Sequence, residues 1–172
     1  MAYCTNTDVK NYLNISGSGD DALLTTLISR AQQMIDTFTD TTFEASGDTT
    51  HYLDTLADVD GDTLYLDAQL AQITTVTNGD SVTVAANEYT TLPRNTAPYH
   101  ALKLLASANK SWTYSDDPEG AISVTGRWAY SVTPPADIAQ TCVELAAWLY
   151  HHRDNLALAG RLLVSAAVNC LL

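Results

Sequence analysis

The stretch VTGRWAYSVTPPADIAQTCVELAAWLYHHRDN, residues 124–155, changes character in its middle. Ahead of the prolines it continues an alternation in which Ile122, Val124 and Gly126 oppose Ala121, Ser123 and Thr125, the period of a strand. Beyond them, Ile138, Cys142, Leu145, Ala146 and Leu149 recur at i, i+4, i+7, i+8 and i+11, one apolar stripe on a helix. Pro134 and Pro135 form the joint: they end the strand, and Pro135 suits the position before or in the first helical turn. His151, His152 and Arg153 fall in the last turn, where positive charge complements the helix dipole. This stretch therefore places a helix on the far side of a β-region, and the rest of the chain is read outward from it.

The N-terminal side supplies the helical partners. Thr5 or Thr7 can cap a short helix ending near Leu13, with Asp8 at its positive end. The turn NISGSGDD follows, and Asp20 offers a second cap. From Asp21 to about Phe38, Leu23, Leu24, Leu27, Ile28, Ala31, Met34, Ile35 and Phe38 fall three and four apart, which predicts one broad buried face. The helix after the prolines is expected to pack near Leu27 and Met34.

Between Asp48 and Tyr130 the period shortens to two. THYLD, DTLYLD, QITTVTNGDSVTVAANEYTTLP, HALKLL and GAISVTGRWAYS give six or seven short strands, enough for an antiparallel sheet or small sandwich. Asn78-Gly79 predicts a two-residue hairpin. The expected class is α+β: terminal helices forming a small bundle with an inserted antiparallel β-rich region. Its expected parts are residues 1–44 (helical), 45–131 (β-rich), 132–155 (the helix completing the bundle) and 156–172 (an apolar assembly segment).

Composition narrows the function. Hydrophobic residues make up 46% of the 172 and charged ones 16%, with a net charge of −12. Eight basic against twenty acidic residues oppose adhesive nucleic-acid binding, which needs cations to displace counterions. An acidic surface can still face DNA that must pass without sticking; it also simply keeps a protein soluble. Cys4, Cys142 and Cys170 lack metal or redox spacing and read as reduced thiols. The start MAYCTNTDVK carries no export-signal pattern.

No catalytic pattern emerges. Asp58, Asp60 and Asp62 have the 1, 3, 5 spacing of a calcium loop, but Gly61 stands at position 4 rather than 6, and Gln69 occupies the twelfth place. A solvated turn is the better reading. His151 and His152 are adjacent and point apart, so they are no metal pair. There is no GxSxG, and SGSG lacks the Lys of a phosphate loop. Cys142 lies on an apolar stripe, where a thiol acts as a small hydrophobe. No enzyme activity, metal or cofactor is expected.

Three phrases, in order, resemble the head–tail connector (adaptor) proteins of long-tailed bacteriophages. They are TDVKNYLNI…DDALLTTLISRAQQMIDTFTDTTF, then YLD…LYLDAQLAQITTVTNGD with YTTLPRNTAPYHALKL, then ISVTGRWAYSVTPPADIAQTCVELAAWLYHHRD. The resemblance implies a virion protein at the head–tail junction, assembled in the host cytoplasm. It implies a ring, usually of twelve copies, seated under the portal. Such a ring extends the DNA channel and meets the next head-completion or tail protein; DNA passes without specific binding, and no membrane is involved. The family supplies no active site.

The tail LALAGRLLVSAAVNCLL departs from a polar, flexible terminus. It spans 17 residues and carries Arg161 and Asn169, too short and polar for a confident membrane span. Wound as a helix it is apolar nearly all round, and burying four of its leucines would contribute on the order of 6–12 kcal/mol before ordering costs. Leu156, Leu158, Arg161, Leu162, Leu163, Val164, Val168, Leu171 and Leu172 are the candidate portal or subunit interface; folding back as a final core helix is the alternative. Trp128, Tyr130, Pro134, Pro135 and Arg153 are candidates for a hinge or interface, with Arg153 and Arg161 placed to pair with a neighbour's acids. A rival reading is a β-rich module that recognises a glycan or peptide through Trp112, Tyr114, Asp116 and Asp117.

Overall fold

The computed structural model describes residues 2–153. The chain divides into two compact units: a helical one contributed by both ends of the chain, and a sheet unit running from Thr42 to Thr133. The class is mixed α+β.

The helical unit contains α1 (Asn6–Leu13), α2 (Asp21–Thr39) and α3 (Ala136–His151), and α3 packs on both α1 and α2. Thr5 is the N-cap of α1: its side chain accepts from the Asp8 N–H, and the Asp8 carboxylate reaches back to the Thr5 N–H at 2.8 Å. This reciprocal cap satisfies two donors that the helix itself cannot. The Thr5 hydroxyl and N–H hold the Asp8 carboxyl below its usual range. Its folded value thus lies under its unfolded one, so the cap's stabilisation is fully present above the unfolded pKa of about 3.9 and is lost as pH falls through the folded value. Thr5→Ala is expected to lower stability by about 1 kcal/mol at pH 7. Urea unfolding at pH 7 and pH 3 checks this, with the gap from wild type narrowing at the lower pH.

Leu24, Leu27, Ile28, Ala31 and Ile35 of α2 are buried, as the period predicts. Phe38 is a correction, because its ring is 83% exposed. It lies one residue before the end of α2, past Ile35, the last buried residue of the helix. The stripe of α3 is also rotated. Its buried residues are Cys142, Val143, Ala146 and Ala147, while Ile138, Leu145 and Leu149 are only half-buried. Small residues let the helices approach closely, so the contact follows Ala146 and Ala147 rather than the leucines. Asp20 stands at the N-cap of α2 but makes no side-chain cap bond; its carboxylate accepts from the Tyr150 hydroxyl at 2.6 Å instead.

The sheet unit is one antiparallel sheet of six strands: β1 (Thr49–Leu53), β2 (Val59–Asp60), β3 (Thr63–Thr77), β4 (Tyr89–Leu92), β5 (Tyr99–Leu104) and β6 (Ile122–Trp128). Their order is β1-β6-β3-β5-β4, with β2 pairing to β3. The segments DTLYLD and QITTVT, read as separate short strands, are one 15-residue strand. It pairs β2 and β5 through its first half and β6 through its second. Since Leu70 sits opposite both Tyr99 and Trp128, β5 and β6 flank it on opposite edges. Leu53, Leu64, Leu70, Val76, Leu102, Ile122 and Val124 form the core, almost wholly removed from water.

Register shifts in β3 next to β6, between Leu70 and Gln72 and again between Ile73 and Thr75, mark bulges. Gly126 faces this irregularity. A Cβ on Gly126 would lie 2.1 Å from the Gln72 carbonyl oxygen and 3.0 Å from Leu70 Cδ1, so only glycine lets β3 and β6 come this close.

The two-residue hairpin at Asn78-Gly79 is also corrected. The turn is wider: Ser81 N–H donates to the Asn78 carbonyl and Asn78 N–H to the Val82 carbonyl. The returning segment keeps only a bridge between Thr77 and Thr83. Asn78 is buried because its side chain serves another segment. Its amide donates to the Ser111 carbonyl at 3.0 Å, and its oxygen accepts from Gly79 N–H and Thr113 N–H at 3.0 and 3.1 Å. Gly79 is required beside it, since a Cβ there would sit 2.3 Å from the Thr113 carbonyl oxygen. Asn78→Ala is expected to destabilise by about 2–3 kcal/mol, because it removes all three hydrogen bonds of this buried side chain. Thermal unfolding followed by circular dichroism measures it.

Candidate functional site

Of the acidic and aromatic residues that looked most like chemistry, Asp58 and Trp112 are used by the fold through their side chains, and Asp60 and Asp62 through their backbones. Asp58 accepts from the Asp54 N–H at 2.8 Å, and Asp60 pairs with Thr63 across the β2–β3 turn. The Asp62 carbonyl receives the Trp112 indole N–H at 2.9 Å. Trp112 itself is buried in the sheet core, so the rival glycan site loses its stacking platform, although Tyr114 is exposed. Among the described residues, no group of three or more His, Cys, Asp or Glu is placed to hold a metal ion, and no helix is long and apolar enough to cross a membrane.

An open depression of about 400 Å³ on the sheet unit is lined by Ala71, Gln72, Ile73, Ala86, Tyr89, Thr90, Thr91 and Tyr99. Burial pushes the Tyr89 phenol above its ordinary pKa, and Tyr99 adds to the shift. The depression's lining carries two tyrosines and no carboxylate, imidazole, thiol or amine.

Of the candidate hinge and interface residues, Trp128, Tyr130, Pro134 and Pro135 lie near the point where the chain passes from the sheet unit to the helical unit in sequence, whereas Arg153 lies beyond the far end of α3. Within the sheet unit, Tyr130 N–H donates to the Thr42 carbonyl at 2.8 Å. Ser131 Oγ donates to the Phe43 carbonyl at 2.9 Å, and Glu44 and Ser131 form a parallel bridge. The incoming and outgoing segments of the sheet unit are thus stitched side by side, and the Phe43 and Tyr130 rings meet at 5.6 Å. Tyr130 still shows 41% of its surface.

Trp128 is committed further. Its indole N–H donates to the Thr49 carbonyl at 3.0 Å, and its ring stacks on His51 at 3.8 Å. Asp67 anchors the far side of His51, 2.8 Å from Nδ1. This file of residues ties β1 to β3 and β6, so Trp128 has a structural duty.

In the helical unit, Pro135 is the N-cap of α3 and its carbonyl accepts from the Ala139 N–H; Pro134 and Pro135 are both half-buried. At the other end of α3 the Arg153 guanidinium lies 4.1 Å over the Tyr150 ring and donates to the Tyr150 carbonyl at 2.8 Å. His152 stacks on Trp148, with its Nδ1 2.8 Å from the Trp148 carbonyl. The Arg153 cation thus lies at the negative end of the helix dipole. Leu156, Leu158, Arg161, Leu162, Leu163, Val164, Val168, Leu171 and Leu172 lie outside the described residues.

Several large apolar and aromatic side chains remain exposed. The helical unit exposes Phe38 and Tyr12; the sheet unit exposes Tyr52, Leu56 and Tyr65. Sequence reading missed Phe38, which its period had assigned to the core. A family model for phage gp6-like head–tail connector proteins matches residues 5–92, just over half of the chain. The chain belongs to this connector family. The match runs through α1 and α2 and on to the end of β4, so it takes in parts of both units of the connector. No curated protein matches the connector's sequence significantly. Membership makes the connector a structural protein of the phage virion that works with other head and tail proteins.

Proposed function

We propose that the protein closes into a ring, usually of twelve copies, beneath the portal, extends the DNA channel and presents a surface to the next head-completion or tail protein. The family match across residues 5–92 carries this reading. The working parts are a terminal helical bundle (residues 1–44 and 132–155), a β-rich insertion (45–131) and an apolar assembly segment (156–172). Exposed Phe38, Tyr52, Leu56 and Tyr65 supply apolar surface of the kind that subunit contacts cover. Trp128, Tyr130, Pro134, Pro135 and Arg153 are the candidate hinge and interface positions.

The mechanism is mechanical. Lateral contacts close the ring, the terminal segment grips the portal, and a lumen of net negative charge lets DNA slide. The excess of acid supports this: the chain carries −12, and three of its basic side chains are already paired, Lys10 with Asp21, Lys110 with Glu88 and Arg127 with Asp48. Assembly in the host cytoplasm follows on this reading. Deleting the gene from its phage tests it. The expected result is filled heads and finished tails that do not join; normal joined virions would overturn the reading.

A further inference from the structure

We propose that Cys4 and Cys142 form a concealed dithiol that a small-molecule disulfide closes into an intramolecular disulfide, stapling the segment before α1 onto α3. The two residues are 138 positions apart in sequence, yet their sulfurs lie 3.2 Å from each other. Both are buried and both are free. A bonded pair needs about 2.05 Å, so closure asks for a shift of only about 1 Å. The segment is already fastened on both sides of Cys4. The Tyr3 hydroxyl donates to Asp36 of α2 at 2.5 Å, and Thr5 caps α1. Cys142 is fixed mid-helix among Val143, Ala146 and Ala147. The Cys4 thiol donates to the Cys142 sulfur, which raises the pKa of Cys4 and lowers that of Cys142. The first thiolate therefore forms most readily on Cys142, and the thiolate is the nucleophile.

With oxidised glutathione the exchange balances. When the segment lifts, the Cys142 thiolate attacks one glutathione sulfur, forms a mixed disulfide and releases a glutathione thiolate, which takes up the proton. On redocking, the Cys4 thiolate attacks the Cys142 sulfur and expels the second glutathione, which takes the other proton. The protein loses two electrons and two protons, and one glutathione disulfide becomes two thiols. On the connector reading, a reducing host interior keeps the pair open during assembly and an oxidising medium closes it afterwards. The chemistry does not depend on that reading, so either can fail without the other.

The test uses the full chain carrying Cys170→Ser, which changes neither member of the pair. Folded protein is incubated with oxidised glutathione, then alkylated and mapped by mass spectrometry. The expected result is a Cys4–Cys142 linked peptide, faster non-reducing gel migration, and a melting temperature raised by about 5–15 °C that dithiothreitol reverses. Adding Cys4→Ser or Cys142→Ser should abolish the migration change. Two thiols still open to alkylation, a persistent glutathione adduct, a disulfide-linked dimer or a lowered melting temperature would each overturn the proposal. The mapping decides even if a serine variant fails to fold.

Discussion

Replacing Gly126 by alanine is expected to destabilise the protein by about 3 kcal/mol or more, a large share of the roughly 5–15 kcal/mol that holds a typical domain folded. The added methyl has no room, because it would meet the Gln72 carbonyl oxygen at 2.1 Å. Backbone cannot rotate away as a flexible side chain would. Either β6 leaves β3 locally or the bulges between Leu70 and Thr75 are redrawn, and both outcomes disturb Leu70, Val76 and Val124 in the core. Gly47→Ala is the control, since nothing lies within 4 Å of a Cβ there; its effect should stay within about 0.5 kcal/mol. Denaturant unfolding of both variants measures the difference. A Gly126→Ala protein as stable as wild type would show that β3 and β6 do not pair this closely.

The second large effect is expected from truncating the chain after residue 155. On the proposed function, the apolar segment 156–172 grips the portal, and four buried leucines contribute on the order of 6–12 kcal/mol before ordering costs. Even if ordering consumes most of that, truncation should weaken portal association at least ~100-fold, equivalent to about 2.7 kcal/mol. The truncated protein should keep its circular dichroism spectrum and thermal transition. If the segment instead folds back as a core helix, truncation will lower the melting temperature, and portal binding will fall only through lost folding. Measuring binding and unfolding on the same preparation separates the two.

Much of the fold was legible because its strongest signals are local. The change of period around Pro134 and Pro135 marks the passage from sheet to α3, and of the two cap candidates, Thr5 and Thr7, it is Thr5 that caps α1. The errors have a common cause: long-range contacts that local patterns do not encode. Asn78-Gly79 carries a hairpin signal, yet Asn78 is needed to hold residues 111–113, and that demand widens the turn. Phe38 continues the α2 stripe but lies beyond its last buried residue, Ile35, and is exposed. The thiol pair could not be read from cysteines at positions 4 and 142, because only the packing of α1 and α3 brings them together. The family was visible in the order of three phrases. Its working surface was less so, since connectors function through shape and contact rather than a motif of reacting groups. Trp128 illustrates the difficulty: its aromatic character suggested an interface, while much of it is engaged by Thr49 and His51.

The most direct test of the connector account is electron microscopy of the purified protein mixed with the portal of its own phage. The account predicts a closed ring, most simply of twelve copies, seated on the portal with residues 156–172 against it and acidic side chains lining the lumen. Dispersed single copies beside bare portals at high concentration would contradict it.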